Sequence, residues 1–160
     1  MVTAFPVLLA LLVALLPFLF GTSFYFDSFW DDVFRGNITV NTDTFYLMLL
    51  TSSATPSKSA WAKRSDTTNE VSGTGYTAGG QAATITLTAA SGNADLELTN
   101  MADVSWTSAT ITAAYAILYK HRGGAASADN LMFNVDFGGS FTATAGTFTV
   151  HMSTQFGVQN

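Results

Sequence analysis

The sequence predicts a mainly β fold: an antiparallel β-sandwich or jelly-roll-like domain, preceded by an apolar N-terminal helix and a short amphipathic helix. Three observations lead there. Between residues 84 and 152, apolar residues alternate with threonine or charged residues at period two over several short stretches. Glycine-bearing turn signals separate the stretches, at Ser91-Gly92-Asn93, Arg122-Gly123-Gly124 and Gly138-Gly139-Ser140. The chain has 160 residues, enough for one domain with a real core and hardly for two.

Residues 1–26 carry no charged group, and residues 4–20 are apolar throughout, interrupted only by Pro6 and Pro17. As a helix, 4–20 reaches roughly 26 Å, slightly short of a ~30 Å hydrocarbon core, and extending to Phe26 makes it sufficient. The expected division is an apolar segment over 1–23 and a single β domain over 24–160. A membrane-inserted helix is the leading expectation for 1–23. A secretory signal, a helix buried inside an oligomer and a mis-assigned start are the alternatives. The segment has no basic n-region and no small-x-small cleavage pattern, and Pro17 would kink a continuous helix.

After Gly21 the pattern changes. Phe26, Phe29, Trp30, Val33 and Phe34 fall at i, i+3, i+4, i+7 and i+8, one apolar stripe of an amphipathic helix. Asp27 or Ser28 is expected to cap it, Asp31 and Asp32 to favour its dipole, and Gly36 to end it in the left-handed conformation. The helix should pack on a sheet or on a neighbouring subunit.

Strands are expected next. Residues 44–51 form an unbroken apolar run, suited to a strand buried on both faces. Residues 84–88 and 94–99 alternate. Residues 110–119 are apolar on both faces, as in a central strand, and 131–137 and 147–152 complete the set. The polar, glycine-rich stretch 52–80 reads as a long loop, functional or ordered by a partner. Trp61, beside Lys63 and Arg64, has the composition of an interface anchor or of a residue folded back on the domain.

Charge and chemistry exclude several classes. Only 11 % of residues are charged, and the net charge of −5 with six scattered basic residues argues against nucleic-acid binding. With no cysteine there is no disulfide and no thiolate metal site. His121 lies between Lys120 and Arg122, and His151 alternates with Thr147 and Thr149; neither sits in triad-like spacing. The glycines from Gly73 to Gly80 lack the Lys-Ser/Thr ending of a phosphate loop. Asp27, Asp31, Asp32 and Asp43 read as a solvated acidic face rather than a calcium site. The expectation is a protein without catalysis, cofactor or metal, with Phe29, Trp30, Phe34 and Trp61 as its contact residues. Trp106 and Tyr115 are candidates for a carbohydrate platform, with a buried turn anchor as the alternative for Trp106.

The segment Asn69-Glu70-Val71-Ser72-Gly73-Thr74-Gly75-Tyr76-Thr77-Ala78-Gly79-Gly80, answered by Val104-Ser105-Trp106, carries a resemblance. Residues 24–38, 41–56, 116–120 and 135–138 share in it. Together they resemble a family of small structural proteins encoded by tailed bacteriophages, over about residues 24–150. The resemblance implies a virion component on the head or tail that self-associates, for example as a trimer, and docks on other virion proteins. Capsid decoration is the first expectation; a tail, fibre or vertex protein that binds a host receptor is the second. A membrane-anchored surface domain that binds carbohydrate is a reading of another class. The apolar prefix, with its possible membrane partner, is where the chain departs from the family pattern.

Overall fold

The computed structural model describes residues 22–86, 88–89, 96–98, 101–152 and 156–157. Of the apolar helix expected over residues 1–23, all but Thr22 and Ser23, which are not helical, lie outside them, as does the turn at 91–93. Among the described residues the mainly β expectation holds: strands dominate and one α-helix is present. A five-stranded antiparallel sheet has the order β1-β7-β6-β2-β3, and a small three-stranded sheet the order β4-β5-β8. The strands are β1 (Phe24–Tyr25), β2 (Phe45–Leu50), β3 (Gln81–Ala83), β4 (Thr88–Ala89), β5 (Leu96–Leu98), β6 (Val104–Lys120), β7 (Leu131–Val150) and β8 (Phe156–Gly157). The helix is α1 (Asp27–Phe34).

The unbroken apolar runs in β2 and the second half of β6 follow from burial on both faces. In β2, Phe45, Leu47 and Leu49 enter one apolar cluster, while Met48 and Leu50 enter a second cluster across the sheet. In β6, Ala116 and Leu118 join the first cluster, Ile117 and Tyr119 the second. β2 pairs with β6 from Phe45↔Lys120 to Leu50↔Tyr115, which makes β6 the central strand there, as expected.

Two strands are far longer than their sequence pattern suggested. β6 spans 17 residues and β7 spans 20, paired as one long hairpin. The expected turn at Gly138-Gly139-Ser140 is no turn. Ala113 pairs with Phe141 and Tyr115 with Asp136, so two steps of β6 face five of β7. The three extra residues bulge out, with Gly138 at φ 72°. Smaller bulges place Ser108 (φ 51°) in β6 and Ala145 (φ 48°) in β7. At the hairpin's base the pairing slips between Leu118↔Phe133 and Tyr119↔Leu131, and the extra residue is Met132. That slip lets consecutive Met132 and Phe133 both face the first cluster. Hydroxyl pairs tie the far half together: Ser105 to Thr149 and Thr112 to Thr142, each at 2.8 Å.

Asn69 to Gly80 is not a free loop. Glu70 bridges to Leu50, Val71 N–H donates to the Leu49 carbonyl, and Thr110 N–H donates to the Thr74 carbonyl. The chain therefore pairs with β2, leaves to touch the far half of β6, and returns to β2 as β3. It approaches so closely that side chains are excluded. A Cβ on Gly80 would lie 1.9 Å from the Leu47 carbonyl oxygen, and one on Gly73 would lie 2.4 Å from that of Thr110. Tyr76 folds under this excursion against Trp106, ring centroids 5.9 Å apart. Its hydroxyl accepts from Leu49 N–H and donates to the Glu70 carboxylate, which also accepts from Gly79 N–H. Desolvation pushes the Tyr76 phenol well above its usual range.

Glycine chemistry here is testable by contrast. Gly36 ends α1 at φ 72° in open space, whereas Gly80 at φ 78° has no room for a Cβ. We expect Gly36→Ala to cost about 1 kcal/mol from backbone strain alone. Gly80→Ala should cost on the order of 3 kcal/mol or more, because a backbone clash adds to the strain. Urea unfolding measures both; equal costs would refute the close approach.

Candidate functional site

The contact residues expected from the sequence separate when placed on the fold. α1 runs Asp27–Phe34 and ends at Gly36, as its pattern required, but its stripe does not bury as one face. Phe26 precedes the helix and sinks into the second cluster; Phe29 and Val33 pack on the first. Phe29 is 1 % exposed and stacks on Tyr25 at 5.2 Å, so it is corrected from contact residue to core. Trp30 remains 40 % exposed and Phe34 86 % exposed. The rings of Tyr25 and Phe29 lie 5.6 and 4.9 Å from that of Trp30, which holds the indole in place. The N-cap is Phe26, without a side-chain cap, so neither Asp27 nor Ser28 serves as expected.

Trp61 folds back, half-buried, onto the second cluster. Trp106 is fully buried inside β6, not in a turn, and Tyr115 packs on the second cluster. Trp106 therefore offers no carbohydrate platform. The acidic face is also corrected in part. Asp31 pairs with Arg35 at 2.7 Å and Asp27 with Lys58 at 3.3 Å, but Asp32 is buried and accepts from the Asn37 amide at 2.9 Å. Among the described residues no group of three or more acidic, His or Cys side chains could hold a metal ion.

The basic run Lys120-His121-Arg122 is matched by carboxylates that sequence spacing did not reveal. Lys120 Nζ meets Asp43 at 2.7 Å. Asp129, fully buried, accepts from Arg64 Nε at 2.7 Å and from Arg122 N–H at 2.9 Å. His121 Nδ1 lies 3.9 Å from the same carboxylate, with its ring 4.1 Å from that of Tyr46. Arg64 sits over the Tyr119 ring at 5.4 Å, and the Tyr119 hydroxyl donates to the Gly79 carbonyl at 2.7 Å. Burial alone would lower the Arg64 pKa, but the hydrogen bond and charge of Asp129, with Tyr119 and Glu70, raise it on balance. Desolvation pushes Tyr119 up to about 12.

This arrangement is a staple. Arg64 comes from the long loop, Asp129 from the β6–β7 connection and Gly79 from the glycine block, so three segments are fixed at one end of the sheet. His151 likewise has a carboxylate partner, Asp103 at 2.7 Å, in an exposed position. Asp103 also accepts from Met152 N–H at 3.0 Å, tying the end of β7 to the entry of β6.

Phe141, a 55 % exposed ring beside the bulge, was not legible from sequence as a surface aromatic. Its only sequence signal is an aromatic on each side of Gly138-Gly139-Ser140. Asp129 gave none, because its partners lie at distant positions.

Two predictions follow from these ties. Asp129→Asn leaves Arg64 without its counter-charge and should cost about 2–4 kcal/mol, measured by urea unfolding. A loss under 0.5 kcal/mol would remove the staple from the account. For Asp103, the Met152 N–H and then His151 hold the carboxyl below its ordinary value. A depressed pKa stabilises above the unfolded value and loses that contribution as pH falls through the folded one. The protection factor of the Met152 amide, its exchange relative to the unstructured rate at the same pH, should therefore fall below about pH 4. Asp103→Asn should abolish that pH dependence.

No known protein family, curated protein or solved structure matches the chain.

Proposed function

We propose that this chain is a non-catalytic structural component of a tailed-bacteriophage particle, acting by self-association and by docking on other virion proteins. Capsid decoration, or another head-associated role, is the form we favour. The observation that carries the reading is the aromatic surface of α1. Trp30 and Phe34 stand outward one helical turn apart, on a helix whose inner face is anchored in the core. A large ring held rigidly at a surface loses little entropy on contact, and aromatic residues concentrate the binding energy of protein interfaces. The low charge supports the same reading, because closely packed protein contacts disfavour Lys, Glu and Asp. The resemblance over residues 24–150 supplies the particle; α1 supplies a surface by which the chain would join it.

Quantitative mass spectrometry of purified particles, normalised to the major capsid protein, tests the role. Near-stoichiometric copies are expected for a repeated shell component; a few copies would move the protein to a tail or vertex, and none would overturn the reading. Phe34→Ser should lower incorporation tenfold or more, about 1.4 kcal/mol at the contact. Its folding stability should stay within about 0.5 kcal/mol of the parent.

A further inference from the structure

We propose that the outward face of α1 is a self-docking surface, which pairs antiparallel, about a two-fold axis, with α1 of a second copy of this chain. The inference rests on the self-associating role proposed above and names the partner of the surface that carries it. The helix has two distinct sides. Asp27, Trp30, Asp31, Phe34 and Arg35 are exposed, whereas Phe29 and Asp32 are buried and Ser28 and Val33 are half-buried. The exposed set falls at i, i+3, i+4, i+7 and i+8, one continuous stripe opposite the side anchored in the core. Trp30, 40 % exposed, and Phe34, 86 % exposed, occupy its middle. Asp27 and Asp31 lie toward its N-terminal end, and Arg35, the C-cap, closes the other.

That order of charges complements itself in one direction. Run antiparallel, Trp30 meets Phe34 of the second copy, and Arg35 comes between its own Asp31 and Asp27 of the second copy. Run parallel, Asp27 would face Asp27 and Arg35 would face Arg35, like against like. A two-fold contact repeats each pairing, so both rings and both charged ends are matched at once. The patch is also neutral on a chain of net charge −5. Asp31 with Arg35 at 2.7 Å and Asp27 with Lys58 at 3.3 Å set two carboxylates against two cations. Copies can therefore approach here without the repulsion that their net charge otherwise brings. An anionic lipid surface would call for a basic patch instead.

Magnitudes divide the work between rings and charges. Exposed ion pairs contribute little affinity, so here they set direction, while the aromatic rings carry the contact. Trp30 is suited to that, because the rings of Tyr25 and Phe29 hold it at 5.6 and 4.9 Å. With eight residues at ~1.5 Å each, α1 is about 12 Å long. That is too short to bury by itself the ~1,200 Å² of a stable dimer. Pairing is therefore weak between free chains. It strengthens where copies are held side by side, as on a shell, through their effective concentration.

The test is photo-crosslinking in the full chain, with benzoylphenylalanine in place of Phe34 so that a large ring is kept. An equal mixture of ordinary and nitrogen-15-labelled chains is irradiated at about 1 mM, where weak pairing is populated, and adducts are mapped by mass spectrometry. Mixed-isotope adducts centred on residues 27–31 are expected. Arg35→Asp in the probe chain should reduce them about fivefold or more, with urea unfolding showing the fold retained. Adding an Asp27→Arg chain as its partner should restore them. Mixed adducts centred on residues 34 and 35 would make the pairing parallel and overturn the proposal. Adducts within one chain, to another surface of a second copy, to lipid or detergent, or no adduct at all would overturn it equally. The particle role fails separately: absence from purified particles with the 27–31 adducts intact would remove that role and leave the pairing standing.

Discussion

The β6–β7 hairpin is the constraint on which the rest depends. β2 and the Thr74 bridge attach to the free edge of β6, and β1 attaches to that of β7. Both apolar clusters draw residues from the hairpin, and the second is built around Ile117, Tyr119 and Leu131. A hairpin this long must curl, since strand twist accumulates along it. The bulges at Ser108, Ala145 and Gly138 are where the ladder yields, while the side chains on either side keep facing their clusters.

Covering such a hairpin explains two features of the fold. The glycine block lies on the sheet backbone to backbone, which only glycine permits at Gly73 and Gly80. Gly73, Gly75 and Gly80 are therefore there for close approach. The Arg64–Asp129 pair then fixes the long loop and the hairpin connection against Tyr119. A buried ion pair is weak evidence for net stability, but a one-sided loss would leave a charge stranded. Its effect here is on where three segments sit.

Much of this was legible in the residues, for physical reasons. α1 could be read because its spacing and Gly36 are local signals. The apolar run of β2 announced burial on both faces. What could not be read was whatever depended on a partner distant in sequence. Gly138-Gly139-Ser140 has turn chemistry, yet pairing across to β6 carries β7 straight through it as a bulge. The five-residue stripe at 26–34 gave no sign that Phe26 would cross to the other face while Trp30 and Phe34 stayed outside. Asp129, Glu70 and Tyr76 carry no periodic signal, because their roles come from segments that meet only in the fold. Phe29 was legible as apolar, but core and contact surface use the same residues.

Amide hydrogen exchange along β6, followed by NMR on the full chain, tests the organising role of the hairpin most directly. If the hairpin is the scaffold that other segments cover, the far half, Ile111 and Ala113 included, should open with the same free energy as Ile117 and Leu118 in the near half. Exchange in the far half that is faster by several orders of magnitude, at an unchanged near half, would contradict the account. The hairpin would then be a local sheet with a loose extension, and the glycine block would cover nothing that needs it.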